Sequence, residues 1–242
     1  ITKAVMWGRS LYQNIRRFIL FQLTVNLVAS MTVVAGAFTG TESPLTVTQM
    51  LWVNLIMDTF AALALASLPP SEEVMNRPPR RRNDFIISRP MYTRIIGVGL
   101  LFTVMIYGLL QYLRIYRIES LTQFNFCDYL GSIFTVGGDN LTPADLTILF
   151  TFFVFLQFWN LFNARAFDSG HSAFNDARHS LVFFATLGVI IAGQFLIVYI
   201  GGEMFNVVAL PFSEMLTILA VTSPVMLIPL AYDLIAHALR KK

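Results

Sequence analysis

Formal charge is scarce in this chain. Asp, Glu, Lys and Arg make up 13% of its 242 residues, against about 25% in soluble domains. A soluble fold covers its surface with polar side chains, and this composition does not supply enough of them. Cysteine is almost absent: Cys127 is the only one, which excludes a disulfide framework and a cysteine metal cluster. The three histidines, His171, His179 and His237, show no ligand spacing. There is no Walker loop, no Ser-His-Asp set and no glycine-rich phosphate cradle. A net charge of +3 is too small to suggest nucleic acid as a partner. No short apolar run ends in a signal-type cleavage site. The chain begins with Ile rather than Met, so it reads as a piece of a longer protein.

Apolar sequence is plentiful. Hydrophobic residues reach 56% and the mean hydropathy is +0.65. Six long apolar segments lie near 18–38, 46–68, 91–113, 146–167, 180–201 and 213–236. Each has about the 20 residues that cross a bilayer. Backbone groups in lipid are satisfied within the segment, which requires helices. The fold class is therefore all-α, a polytopic membrane bundle of six transmembrane helices. Their expected extents are about 10–38, 46–68, 91–116, 146–167, 180–201 and 213–237. The first exceeds the bilayer, because SLYQNIRRF before it contains no helix breaker.

Charge sets the orientation. The connectors 39–46, 119–145 and 201–212 contain no Lys or Arg, whereas 69–90 and 163–180 are basic or mixed and RKK closes the chain. Placing the basic connectors and both termini on one side accounts for 15 of the 17 basic residues. Only Arg114 and Arg117 depart from the pattern. The positive-inside rule puts both termini in the cytoplasm. The proline-rich loop 69–90 has two readings, an Arg-rich topology determinant against anionic lipid or a docking surface for a cytosolic domain.

The polar residues inside the spans carry the chemistry. In LWVNLIMDTFAALALASLPP (51–70) the single acid is Asp58, with Asn54 one turn before it. An ionisable group at the bilayer centre is unfavourable by several kcal/mol, about 3 on lenient scales, and marks a site by default. At i and i+4 the amide and the carboxylate share a helix face. They are hard oxygen ligands, suited to calcium and related cations. Further oxygens must come from other helices or from carbonyls freed where a helix unwinds. A protonated Asp58 bonded to a neighbouring helix is the structural alternative.

Other candidates follow in order. Asn26 lies well inside the first span, with Gln22 one turn before it, and is either a ligand or an interhelical hydrogen bond. Gln157, Asn160 and Asn163 recur every three residues in the fourth span; Gln157 is deepest, and a structural role is favoured for the set. Gln194 reads as packing glue. Pro224 and Pro229 interrupt the last helix, and a kink is enough to explain them. Trp7, Trp52 and Trp159 suit interfaces or packing. The glycine spacing at Gly97 and Gly99 is too weak to interpret.

LWVNLIMDTFAALALASLPP resembles the sixth transmembrane helix of P-type calcium-transporting ATPases. FQLTVNLVAS after GRSLYQNIRRFI is similar to their fifth helix, especially in the plasma-membrane type, and LQFWNLFNAR resembles the eighth. The resemblance covers essentially the whole chain, 1–242, as helices five to ten of a ten-helix pump. It implies that Asn26, Asn54 and Asp58 are calcium ligands. Two-site reticulum pumps carry a glutamate where this chain has Ala29, and another where it has Gln157. Losing both implies one calcium per cycle, with Gln157 at most a minor contributor.

The fourth-helix Glu of the family, the DKTG phosphorylation motif and the nucleotide-binding and actuator domains are absent from this chain. It would not hydrolyse ATP alone; magnesium and ATP would enter only with the N-terminal half of the same pump. The long first helix would be the rod from ion site to phosphorylation domain, and loop 69–90 would face that domain. The implied setting is the lipid bilayer of the cell membrane. The alternatives are a P-type pump for sodium, protons or magnesium, or a stand-alone transporter subunit without ATPase activity.

Overall fold

The computed structural model describes residues 1–40, 44–70, 72–76, 85–116, 123–135, 137–138, 141–167 and 180–228. Among these residues every regular element is helical. The three histidines, Arg117, Pro229, the Arg run at 80–82 and the closing RKK lie outside them.

With no proline from Thr2 to Phe38, α1 (Thr2–Phe38) runs unbroken for 37 residues. At 1.5 Å per residue it is about 55 Å long, against ~30 Å of hydrocarbon. The second apolar segment is composite. Thr46 and Gln49 form a reciprocal capping box that opens α2 (Val47–Leu51). The helix then widens into a π helix over Trp52–Met57 and returns to α geometry as α3 (Asp58–Ala66).

The third segment is α4 (Arg89–Ile115), started by a proline in its first turn. A short helix in the connector after α4, α5 (Phe126–Ser132), is capped by Asn125. Thr142 and Asp145 form a second capping box, with Pro143 in the first turn, that opens α6 (Pro143–Ala166). Next come α7 (Leu181–Ile200), α8 (Gly202–Phe205) and α9 (Phe212–Thr222). Five stretches, counting Val47–Ala66 as one, are long and apolar enough to cross a membrane. The sixth, Phe212–Leu227, is shorter within the described residues. At Pro224 it tightens into a 3-10 turn over Ser223–Leu227, since proline removes a backbone donor and crowds the preceding turn.

Helix α6 is the axis of the bundle, packed by α1, α4, α7 and α9. Of its most apolar 18-residue window, 89% is buried, as expected for a helix apolar all round. Helix α3 packs chiefly against α1 and α7, so those two helices join the Asp58 segment to the α6 column. Gly99 permits the α1–α4 contact: a Cβ there would lie 2.5 Å from Leu27 Cδ2. Gly97 faces open space.

The N-terminal part of α1 gathers the neighbouring chain ends. Asn14 donates to the Leu68 carbonyl at 3.2 Å, and Arg9 to Val74 at 3.0 Å. Arg16 donates to Ser88 at 2.8 Å, and Arg17 to the Phe167 carbonyl at 3.0 Å and to Asn14 at 3.1 Å. The Arg16 and Arg94 guanidinium groups also lie 5.6 and 5.3 Å from the Phe167 ring centre. One helix thus holds the ends of three spans.

Arg114, one of the two arginines that depart from the charge pattern, is buried. Its guanidinium donates to the Thr39 carbonyl at the end of α1 and to Gly138 in the returning connector. The departure from the charge pattern is a structural clasp. Gly138 adopts φ +86°, and a Cβ there would lie 2.2 Å from the Arg114 carbonyl.

Candidate ion-binding site

The π segment ends at Asp58, whose N–H reaches the Val53 carbonyl five residues back instead of four. Such a widened turn disturbs the regular ladder and is frequent at functional sites. The resemblance implies an unwound helix at Asn54 and Asp58; the described backbone stays helical and widens. One carbonyl in the segment, that of Leu55, accepts the Thr59 hydroxyl. Across the bundle, a Cβ on Gly193 of α7 would approach the Trp52 ring to 2.6 Å. The first residue of the π segment is therefore seated directly on α7.

Asp58 is 4% exposed, and neither carboxylate oxygen has a hydrogen-bond partner among the described residues. A charged group in that condition is strongly unfavourable, so the carboxylate requires a cation, a proton or a donor from outside the described chain. Asn54 is exposed although it lies four residues before Asp58. The two residues therefore differ in burial despite the i, i+4 spacing, and Asn54 borders the gap between α1 and α6. Asn26 is half-buried on α1, which packs against α3. Ala29, one turn beyond Asn26, is buried and lines a gap together with Asn54 and Phe153. A small side chain stands beside the amide at that point.

The polar residues of α6 divide into two kinds. Asn163 donates to the Val225 carbonyl at 3.0 Å, inside the 3-10 turn. Trp159 donates to the Leu219 carbonyl and to Thr222, each at 3.1 Å. Together they supply donors around the break at Pro224. Gln157 is completely buried, and neither amide atom has a partner among the described residues. Asn160 is 1% exposed with its Nδ2 in the same condition. Asn160 also lines a cavity of about 200 Å³ between α1 and α4 that includes Thr24 and Arg94. That is room for several waters, each of which needs only about 10–15 Å³ of such space. Gln194 donates to Thr151 at 3.4 Å, joining α7 to α6.

Among the described residues no three His, Cys, Asp or Glu side chains form a metal cluster. A site here would use one carboxylate, amide oxygens and backbone carbonyls, a hard-oxygen set. Sequence reasoning missed the π segment, the Arg114 clasp and the donor role of Trp159. The departure of Arg114 from the charge pattern was the one signal that could have revealed the clasp.

Comparison with known proteins adds an independent line. Residues 42–235 match the family described as cation transporting ATPase, C-terminus. Plasma membrane calcium-transporting ATPase 4 of Bos taurus is 36% identical over 221 residues, covering 88% of this chain and 17% of the relative. Plasma membrane calcium-transporting ATPase 2 of Oreochromis mossambicus is 38% identical over 213 residues, covering 85% and 18%. Calcium-transporting ATPase 1, plasma membrane-type, of Oryza sativa subsp. japonica is 38% identical over 211 residues, covering 87% and 18%. The chain spans less than a fifth of the length of these relatives.

Proposed function

This chain belongs to the cation-transporting ATPases as their C-terminal membrane part, and on that premise we propose that it holds the ion site of an ATP-driven calcium pump. The pump exports calcium from the cytoplasm across the cell membrane, one ion per cycle, with both termini of this segment cytoplasmic. The observation that carries the reading is Asp58: a buried carboxylate without a hydrogen-bond partner among the described residues, at the end of a π turn.

In this reading Asp58 supplies the charge that binds calcium, and Asn26 and Asn54 supply amide oxygens. Gln157, buried on α6, is at most a minor contributor. Ala29 and Gln157 stand where a second ion would need carboxylates, which favours single-ion stoichiometry. The exposed position of Asn54 suits a site completed by the N-terminal half of the pump. That half also brings the ATP- and magnesium-dependent chemistry, which no residue described here performs.

The long α1 transmits the work. Because Arg9, Asn14, Arg16 and Arg17 bind the ends of neighbouring segments, a tilt of α1 moves the connectors around the site together. The test is to measure which cation stimulates phosphorylation of the full-length protein by ATP, and how many ions move per ATP. Calcium with a ratio of one is expected. Stimulation by sodium or magnesium without calcium would replace the reading with a pump for another cation.

A further inference from the structure

Helix α5 presents a face that no protein element among the described residues covers. Phe126, Leu130 and Phe134 recur every four residues along the helix and the turn after it, and are 62%, 45% and 89% exposed. Cys127 and Gly131, also exposed, flank them on the same side. At 100° per residue these five positions span one continuous arc of about 140°. It contains no charge. Asp128, the one charged residue of the helix, is half-buried outside that arc.

Three contacts fix the depth of α5 along α4. The Ser132 hydroxyl donates to the Gly108 carbonyl at 3.1 Å, and the Tyr129 hydroxyl to Met105 at 3.0 Å. A Cβ on Gly108 would lie 2.8 Å from Ile133 and 3.1 Å from the Tyr129 ring. Serine is short, so the C-terminal end of α5 lies at the level of Gly108. The clasp from Arg114 to Thr39 marks the outer ends of α4 and α1. Gly108 is six residues before Arg114, about 9 Å nearer the bilayer centre. Helix α4 is 27 residues long, about 40 Å, so a centred hydrocarbon layer of ~30 Å ends about 5 Å inside its outer terminus. Gly108 falls within that layer.

We infer that α5 is an interfacial anchor whose Phe126–Leu130–Phe134 face is embedded in the acyl chains of the outer leaflet. An uncharged arc at that depth, a few ångström below the boundary, meets acyl chains as the apolar face of an interfacial helix does. The face also continues from an apolar strip on α4, where Leu100, Leu101 and Val104 are exposed just before the Met105 contact. Lipid that covers the strip is therefore positioned to cover α5. The inference rests on α4 spanning the membrane.

The test uses the full-length pump in phosphatidylcholine vesicles in which part of the lipid carries brominated acyl chains. Phe134→Trp keeps an aromatic side chain, Leu130→Trp provides a second variant on the same arc, and Leu101→Trp is the reference on α4. Emission added by each substitution is read against the parent pump, in preparations that keep calcium-activated ATPase activity. Brominated lipid is expected to quench Phe134→Trp and Leu130→Trp to about the same extent as Leu101→Trp, with little effect of aqueous iodide. Quenching by iodide without quenching by lipid would place the face in water and overturn the inference. Quenching by neither would mean that protein covers it, from the rest of the pump or a separate subunit, and would overturn it equally. If the Leu101→Trp reference itself escapes brominated lipid, the fault lies with the spanning of α4.

Discussion

The Arg114 guanidinium lies 2.9 Å from the Thr39 carbonyl, bonding the C-terminal end of α4 to the C-terminal end of α1. The same guanidinium holds Gly138 at 3.0 Å. Hydrogen bonds from a charged donor contribute about 1.5–3 kcal/mol each. Arg114→Met should lower the thermal midpoint of the full-length pump by several degrees. Arg114→Lys should recover only part of it, because an ammonium group lacks the guanidinium fork that spans two carbonyls. Unchanged melting of Arg114→Met would mean that the clasp does not hold the bundle.

Arg17 makes the comparable connection at the other end. Buried on α1, it joins Asn14 to the Phe167 carbonyl just past α6. In Arg17→Ala the rod and the α6 column would no longer move as one. Calcium-stimulated phosphorylation should persist, while steady-state ATP turnover falls by about tenfold, the equivalent of ~1.4 kcal/mol on the barrier. Equal loss in both assays would point to misfolding in place of uncoupling.

Asn163 should behave as a structural residue. Asn163→Ala removes the donor to the Val225 carbonyl, at a cost of about 1–3 kcal/mol for a buried unsatisfied group. Thermal stability should drop with the calcium activation midpoint unchanged. A shift in that midpoint, with normal melting, would instead make Asn163 part of the ion site.

Gly193 offers a way to perturb the π segment without touching a proposed ligand. A Cβ at this position meets the Trp52 ring at 2.6 Å, and overpacking of this kind costs about 1–3 kcal/mol. Gly193→Ala should raise the calcium concentration for half-activation severalfold, and Gly193→Val more. No change in either variant would separate the Trp52 contact from ion binding.

Much of this architecture is legible in sequence because its causes are local. Apolar length marks the spans, and the Thr46–Gln49 and Thr142–Asp145 boxes sit within four residues of chain. Asp58 is conspicuous because a charge in an apolar run is physically expensive. The features that escaped are long-range. Arg114 finds Thr39 across 75 residues of sequence, and Asn163 finds Val225 across 62. The π turn, which begins at Trp52 against Gly193 of α7, is encoded by no helical period. Asn54 is exposed while Asp58 is buried, a difference in burial that the i, i+4 spacing alone does not encode.

The most direct test of the central claim compares Asp58→Asn with Gln157→Ala in the full-length pump, reading phosphorylation from ATP across a calcium titration. Asp58→Asn keeps the size of the side chain and removes its charge, and it should abolish calcium-dependent phosphorylation. Gln157→Ala should retain much of it, because Gln157 is at most a minor ligand. Unchanged calcium activation in Asp58→Asn would contradict the account.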